Sequence, residues 1–365
     1  MSGPRDPVQR ADPEESDGVV TWSMQSRLDR LSVRLYGWLL TAGRSAVILL
    51  AALIIVGQFG LVAIAATDQP TIAVYILLSV VPALAVAGYV WTADVTRSEP
   101  LGLLVGTFLL GFLFASFAAV VNSASQGAFQ MAGFAGMVAF FYVVVAPVEE
   151  AVKLLAVRLY AFRHSDFDAV IDGAVYGAVA GLGFATIENS IYITEHVLQA
   201  ATVGGSIQSA ARDIALIRSF AGPGHVIYSA LAGYYLGLAK FNRDDAGPIV
   251  VKGLLVAALL HGTYNVSVSV IQGLHGTGLF GGLSVKQTVV GFVVVYDSAI
   301  GYLLYRKLSR YRDRYRETVG DRDPSGVDVT EFEPATTVGE ADSGDADASG
   351  DVASDLPDRP DESSG

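Results

Sequence analysis

Residues 139–160 read AFFYVVVAPVEEAVKLLAVRLY, and this stretch decides how the rest of the chain is interpreted. It is apolar and long enough to span a bilayer, which takes about 20 mostly apolar residues. Two adjacent glutamates, Glu149 and Glu150, nevertheless lie inside it. A charged side chain at the bilayer centre costs about 2.5–3.5 kcal/mol on insertion scales, so the pair indicates a polar site within the membrane.

The composition is typical of an integral membrane protein. Of the 365 residues, 52% are hydrophobic and only 16% are charged, whereas a soluble domain is about 25% charged. Eight segments are apolar and long enough to cross a bilayer, and they predict an all-α, polytopic bundle of about eight transmembrane helices. The segments are 45–67, 72–93, 101–121, 134–158, 169–195, 222–240, 249–272 and 286–305.

Lysine and arginine alternate between the loops as expected for a multi-pass protein of the cell membrane with both termini in the cytoplasm. They precede the first span and follow spans two, four, six and eight, ending in RKLSRYRDRYR at 306–316. The exception is the connection between spans five and six, which holds Arg212 and Arg218. We predict that this connection forms a separate amphipathic helix on the outer surface.

The chain divides into three parts. Residues 1–44 form a cytoplasmic segment with an amphipathic helix over 21–44, 45–305 form the membrane domain, and 306–365 form a basic stretch followed by an acidic tail. From Glu317 onward there are 15 acidic residues and two arginines, a net of −13, which leaves about +1 for the rest of the chain. The tail has few large apolar residues and is predicted to be disordered. The expected partner is the lipid bilayer, and no nucleic acid is expected.

Ionisable side chains inside the predicted spans could each have a structural role. Lys153 lies one helical turn from either glutamate and could pair with one of them. Glu188 could bond Tyr192, and His261 could bond Asn265. A purely structural role for all of them is less expected, because every isolated buried polar group carries a cost that a shared site would offset. The residues are Glu149, Glu150, Lys153, Asp172, Glu188, His225, His261 and Asp297.

These residue types suit metal-dependent hydrolysis. Two imidazoles and one or two carboxylates are good Zn²⁺ ligands, and a glutamate outside the ligand set can act as general base on water. The ligands would come from separate helices of the bundle. The chain has no cysteine, which excludes thiolate sites and cysteine nucleophiles, and the absence of HExxH excludes the common zinc-protease helix.

Four motifs on successive spans resemble those of the PrsW family of intramembrane proteases. Together they cover roughly residues 101–305, the expected protease core. That family belongs to a superfamily with the CAAX prenyl proteases, in which a histidine stands in place of Glu188. The motifs are Glu149-Glu150-x-x-Lys153, Phe184-x-x-x-Glu188 followed by Asn189, Gly224-His225 with Ser229, and His261-Gly-Thr-Tyr264-Asn265.

The resemblance implies an intramembrane endopeptidase that cleaves membrane proteins in or near the bilayer with a glutamate-activated water. Glu149 would activate the water with Glu150 beside it, although the sequence does not separate the two. By the same resemblance, Asn265 would supply an oxyanion-stabilising or orienting hydrogen bond, and a single-span regulatory protein such as an anti-sigma factor would be the substrate. Glu188, His225 and His261 would bind Zn²⁺ or orient that water, and the supporting residues would be Lys153, Phe184, Asn189, Ser229 and Tyr264.

Two other functions fit some of these observations. Intramembrane Glu, Asp and His residues also serve a proton-coupled transporter or channel, although no repeat relates the two halves of the chain. A scaffold that uses polar residues to lock its helices together is the third possibility. It predicts that substitutions damage folding rather than chemistry.

The predicted span boundaries conflict with a single shared site, because they place two of its residues at different depths in the membrane. At about 1.5 Å per residue, the predicted boundaries place Glu149 and His225 about 10–15 Å apart in depth. Either span six begins earlier, within IALIRSFAGPG (214–224), or Pro147 kinks span four.

Overall fold

The computed structural model describes residues 26–35, 37, 38, 42, 53, 57, 60, 70–96 and 99–318. Within this part of the chain the secondary structure is helical and contains no β-strand, as predicted. Residues 27–35 are helical, inside the predicted amphipathic segment. The predicted first span, at 45–67, and the acidic tail lie almost wholly outside the described residues.

Eight α-helices follow one another in the described chain from Pro70 onward. A π-helical segment, Phe140–Val145, joins the third to the fourth, and short 3₁₀ turns occur at Ala161–Arg163 and His275–Thr277. The helices are α1 (Pro70–Thr92), α2 (Leu101–Gln130), α3 (Gly133–Ala139), α4 (Ala146–Leu159), α5 (Val170–Thr202), α6 (Ile207–Phe241), α7 (Ala246–Leu274) and α8 (Val285–Thr318).

Five of these helices, α1, α2, α5, α7 and α8, are long and apolar enough to cross a membrane. They coincide with predicted spans two, three, five, seven and eight. Predicted span four corresponds to the continuous helical run of α3, the π-helical segment and α4, and predicted span six corresponds to the second half of α6. The described residues therefore support a multi-pass membrane protein, while the total of eight spans stays a prediction.

The prediction of a separate outer helix between spans five and six was wrong. α6 begins at Ile207, where the Ser206 side chain accepts a hydrogen bond from the Ser209 amide, and it continues past Pro223 to Phe241. Arg218 lies in the interior of this helix because its charge is paired inside the bundle. The early start places His225 midway along α6, and the π-helical segment precedes Pro147. A carboxylate oxygen of Glu149 and a ring nitrogen of His225 lie within 4.8 Å of each other, so the predicted difference in depth between these residues is absent.

α5 is the central helix of the bundle. Its apolar window is 83% buried, against 22–33% in the other four candidate spans. Glycines spaced four residues apart on α5 pack against α6: a Cβ added to Gly173 would lie 2.2 Å from the Gly233 carbonyl oxygen, and one added to Gly177 would lie 2.2 Å from that of Ser229. This close backbone approach brings the polar residues of α5 beside those of α6.

Gly177→Ala is therefore expected to destabilise the protein by about 1–3 kcal/mol, because the two backbones must move apart to admit a methyl group. Gly291→Ala is the matched control, since a Cβ on this exposed glycine of α8 would meet no atom within 4 Å. Thermal unfolding in detergent measures both. Equal melting temperatures for the two variants would contradict the close-packed interface.

Candidate active site

The polar residues predicted on spans four to seven converge at one place in the bundle. α4 supplies Glu149 and Glu150, α5 supplies Glu188, α6 supplies His225 and α7 supplies His261. Glu149, Glu150 and the two histidines are buried, with exposures of 4%, 0%, 5% and 2%. The imidazole centroids of the two histidines lie 5.1 Å apart.

Glu150 is the more fully bonded of the two adjacent glutamates. Its Oε1 accepts hydrogen bonds from Lys153 Nζ at 2.6 Å and lies 2.9 Å from His261 Nδ1. Its Oε2 accepts from Ser229 Oγ at 3.5 Å. The predicted pair on α4 is thus Glu150 with Lys153, and this carboxylate faces protein on every side.

Glu149 points about 100° away from Glu150 around the helix, toward a large cavity. Its Oε1 accepts a hydrogen bond from Asn122 Nδ2 at 2.9 Å. Its Oε2 is buried and finds no hydrogen-bond partner among the described residues, and it lies 3.7 Å from His261 Nε2. One oxygen of this carboxylate is therefore held in place and the other is free.

Lys153 connects α4 to α6. Besides its bond to Glu150, its Nζ lies 3.0 Å from His225 Nδ1 and 4.3 Å from the centre of the Phe184 ring. A buried ammonium is costly unless it is paired and hydrogen-bonded, and these three partners meet that requirement. The motif residues Lys153, Phe184 and Ser229 thus support the site through contacts with Glu150 and with each other.

The carboxylate of Glu188 lies between two side chains of α6, the cation Arg218 and the imidazole of His225. Its Oε2 lies 2.7 Å from His225 Nε2 and accepts from Arg218 Nη2 at 2.5 Å. Arg218 also donates from Nε to Asn189 Oδ1 at 2.9 Å and stacks on Tyr192. Asn189 in turn donates to the carbonyl and hydroxyl oxygens of Ser79 on α1, each at 3.2 Å.

A metal ion could be held here by atoms that are already close together. One nitrogen of His225, one nitrogen of His261 and one carboxylate oxygen of Glu149 all lie within 4.8 Å of one another. Glu188, expected from the sequence as the third ligand, lies beside His225 but shares its oxygen with Arg218. The structure therefore gathers every predicted metal and general-base residue, and adds Glu149 to the possible ligands.

A cavity of about 900 Å³ opens in front of these groups. Glu149, Glu188 and both histidines line it, together with Tyr264 and Asn265 of the last motif. α2 adds the polar side chains of Asn122, Ser123, Gln126 and Gln130 to the lining, and the segment around Phe140 adds an apolar surface. Asn265 therefore faces the same space as the free oxygen of Glu149, as a group that would stabilise an oxyanion must.

Two residues of the site were missed at the level of sequence. Arg218 carried a signal, because it was the exception in the count of basic loop residues. Asn122 lies one residue beyond the predicted end of span three, but α2 continues to Gln130. Its amide therefore reaches Glu149 from within a helix, whereas the sequence placed it in a loop.

The two aspartates without a predicted role have structural partners. Asp172 accepts backbone hydrogen bonds from Asp168 and Ala169 at 2.7 and 2.8 Å, at the start of α5. Asp297 accepts from Tyr228 at 3.3 Å. Near Asp172, the loop residue Glu99 accepts a hydrogen bond from Tyr176. Burial, followed by the charges of neighbouring aspartates, raises the pKa of Glu99 to about 8.

Comparison with known proteins agrees with this geometry. Residues 99–298 match the model of the PrsW family of intramembrane metalloproteases. "Protease PrsW" of Shouchella clausii is 28% identical over 194 residues, covering 53% of this chain and 83% of that protein. "Protease PrsW" of Bacillus subtilis is 26% identical over 200 residues, covering 53% and 82%. No solved structure matches the chain.

The ion pair between Glu188 and Arg218 generates a prediction. Arg218→Leu is expected to destabilise the protein by up to about 3 kcal/mol, because it leaves the partly buried carboxylate of Glu188, whose side chain is 18% exposed, without its cation. The double variant Arg218→Leu/Glu188→Gln should recover most of that loss. Arg212→Leu, which removes a side chain that is 66% exposed, serves as the control and should change the melting temperature little. A double variant no more stable than Arg218→Leu would contradict the pairing.

Proposed function

The chain belongs to the PrsW family of intramembrane metalloproteases and is a membrane peptidase, and on that premise we propose that it hydrolyses peptide bonds of other membrane proteins in or near the bilayer by metal-dependent attack of a glutamate-activated water. The observation that carries this proposal is the buried, unbonded Oε2 of Glu149 beside His261. Leaving a buried acceptor unsatisfied costs about 1–3 kcal/mol or more. A water molecule or a cation in the cavity would remove that cost.

The donor set fits a zinc ion. The chain offers two imidazoles and carboxylates from separate helices, the ligand chemistry typical of catalytic zinc. His261 contacts the carboxylate of Glu150 through Nδ1, which leaves Nε2 directed toward Glu149. Metal-binding histidines commonly contact a carboxylate through their second nitrogen in this way. A bound zinc ion would supply Lewis-acid polarisation of the scissile carbonyl and of water.

We assign the general base to Glu149 and the ligand set to Glu188, His225 and His261. The Oε2 of Glu149 accepts a proton as the water oxygen bonds to the carbonyl carbon, while Asn122 fixes the other oxygen. That proton then passes to the amide nitrogen as the C–N bond breaks. The Asn265 amide, which lines the same cavity, donates a hydrogen bond to the oxyanion.

The peptidase assignment supports the first of the three functions considered from the sequence over the transporter and the scaffold. We further infer a single-span substrate, such as a regulatory protein of the anti-sigma type, as the family resemblance implies. We also propose that both termini are cytoplasmic, as the loop charges predict. The relation of the family to the CAAX prenyl proteases is part of the same proposal. The cavity has room for a stretch of extended peptide, which supports a macromolecular substrate.

Glu149→Gln is expected to lower the rate of peptide hydrolysis by about 10²–10⁴-fold, the contribution typical of a general base. The fold should persist, because the glutamine carbonyl can still accept the Asn122 hydrogen bond. The measurement is cleavage of a panel of single-span reporter proteins in proteoliposomes, followed by gel electrophoresis. Asp213→Asn, an exposed carboxylate paired with Lys286, is the control. Cleavage by a folded Glu149→Gln variant at the wild-type rate would contradict the assignment.

Elemental analysis tests the ligand set separately. Near-stoichiometric zinc is expected in the wild-type protein, with loss in folded His261→Ala and Glu188→Gln variants and retention in Glu149→Gln. Because loss of even an outer-shell partner of a ligand typically costs about 10–100-fold in metal affinity, loss of a ligand itself should be clear after dialysis. Zinc retained by Glu188→Gln but lost from Glu149→Gln would instead make Glu149 the ligand. Well-folded wild-type protein without metal would overturn the metal-dependent mechanism.

A further inference from the structure

A second cavity, of about 410 Å³, lies between α6, α7 and α8, and none of the catalytic groups lines it. Its walls divide into two kinds of surface. Three basic residues of α8, Arg306, Lys307 and Arg310, line one part. Leu231, Val256, Leu260 and Leu303 line the other part. We call this cavity the basic groove.

The basic residues lie at one end of the groove. Leu303 and Arg310 are seven residues apart on α8, a rise of about 10 Å along the helix. The C-terminal end of α6 and the N-terminal end of α7 are joined by the short connection at 242–245 and lie at this same end. Arg306 and Arg310 therefore lie at the end of the bundle that faces the inner membrane surface, according to the orientation that the loop charges predict.

The positive charges are available to a ligand. Among the described residues, no carboxylate forms an ion pair with Arg306, Lys307 or Arg310. Lys307 is also held in a fixed place: its Nζ lies 4.6 Å from the centre of the Tyr234 ring and 4.5 Å from that of Tyr235. Cation–π contacts of this kind restrain an ammonium without neutralising its charge.

The apolar part of the groove faces the region where lipid chains lie. Leu303 is 53% exposed, and on α7 the residues that precede the groove residues Val256 and Leu260, namely Leu255 and Leu259, are 57% and 58% exposed. In a bilayer these surfaces contact acyl chains. The groove has an apolar wall, tyrosines at its polar end and three cations. These parts correspond to the acyl chain, the interfacial region and the phosphate of a phospholipid, respectively.

We propose that the basic groove binds one anionic phospholipid. Its phosphate contacts Arg306, Lys307 and Arg310, and an acyl chain packs along Leu231, Leu260 and Leu303. The guanidinium groups suit phosphate oxygens because they can donate two parallel hydrogen bonds. The apolar wall favours a lipid over the acidic segment from residue 319 onward, which has charge but few apolar residues to cover it.

Native mass spectrometry of the purified full chain, titrated with phosphatidylglycerol or phosphatidylcholine, tests the proposal. We expect one tightly retained phosphatidylglycerol and weaker retention of phosphatidylcholine. Arg306→Gln/Arg310→Gln should weaken phosphatidylglycerol binding at least about 10-fold, since each basic residue near an anionic headgroup contributes about fivefold. Arg306→Lys/Arg310→Lys keeps the charge and should retain most of the binding. Circular dichroism confirms the helical content of each variant.

Arg314→Gln/Arg316→Gln is the matched control, because it removes the same charge from the same helix outside the groove. An equal loss of lipid in this control would overturn the proposal by showing a general effect of charge. Inorganic phosphate that competes as well as the lipid would show a phosphate site instead. A carbodiimide cross-link between Lys307 and the acidic segment that phosphatidylglycerol does not suppress would show that the chain itself occupies the groove.

Discussion

The carboxylate of Glu150 is the interaction on which the rest of the site depends. It is fully buried and contacts Lys153 of its own helix, His261 of α7 and Ser229 of α6. Removing one member of a buried charged pair costs far more than the pair itself contributes, because the remaining charge is left unsolvated. The adjacent Glu149 can keep an unbonded oxygen because this neighbouring network fixes the orientation of α4.

The same network extends beyond the part of the chain that matches the family. From Lys153 it passes through His225, Glu188 and Arg218 to Asn189, which bonds Ser79 on α1. α1 precedes residue 99, where the family match begins. A helix outside the matched region therefore bonds to the residues behind the site. This connection runs through the hydrogen bonds of Ser79, since no residue of α1 lines the cavity.

The sequence predicted most of the site because burying charge in an apolar helix is costly enough to be visible in the residue pattern. Glycines four residues apart at 173, 177 and 181 likewise indicate a smooth helix face that another helix can approach closely, but this pattern does not identify α6 as the partner. The sequence failed where partners come from distant helices. Arg218 was read as a loop residue because local charge does not reveal that Glu188 lies across the bundle. Asn122 was missed because hydropathy does not locate where a helix ends once its residues turn polar.

The glycine contact between α5 and α6 also restricts how the enzyme can open. Carbonyl oxygens of α6 would lie within 2.2–2.5 Å of a Cβ placed on Gly173, Gly177 or Gly181, so these two helices form a closed seam. The rest of the cavity lining comes from α2, α3, the π-helical segment Phe140–Val145, α4 and α7, and π-helical turns of this kind are frequent at functional sites. Because α5 and α6 cannot separate without losing this close packing, a polypeptide that entered the cavity from the bilayer would pass between the other helices that line it.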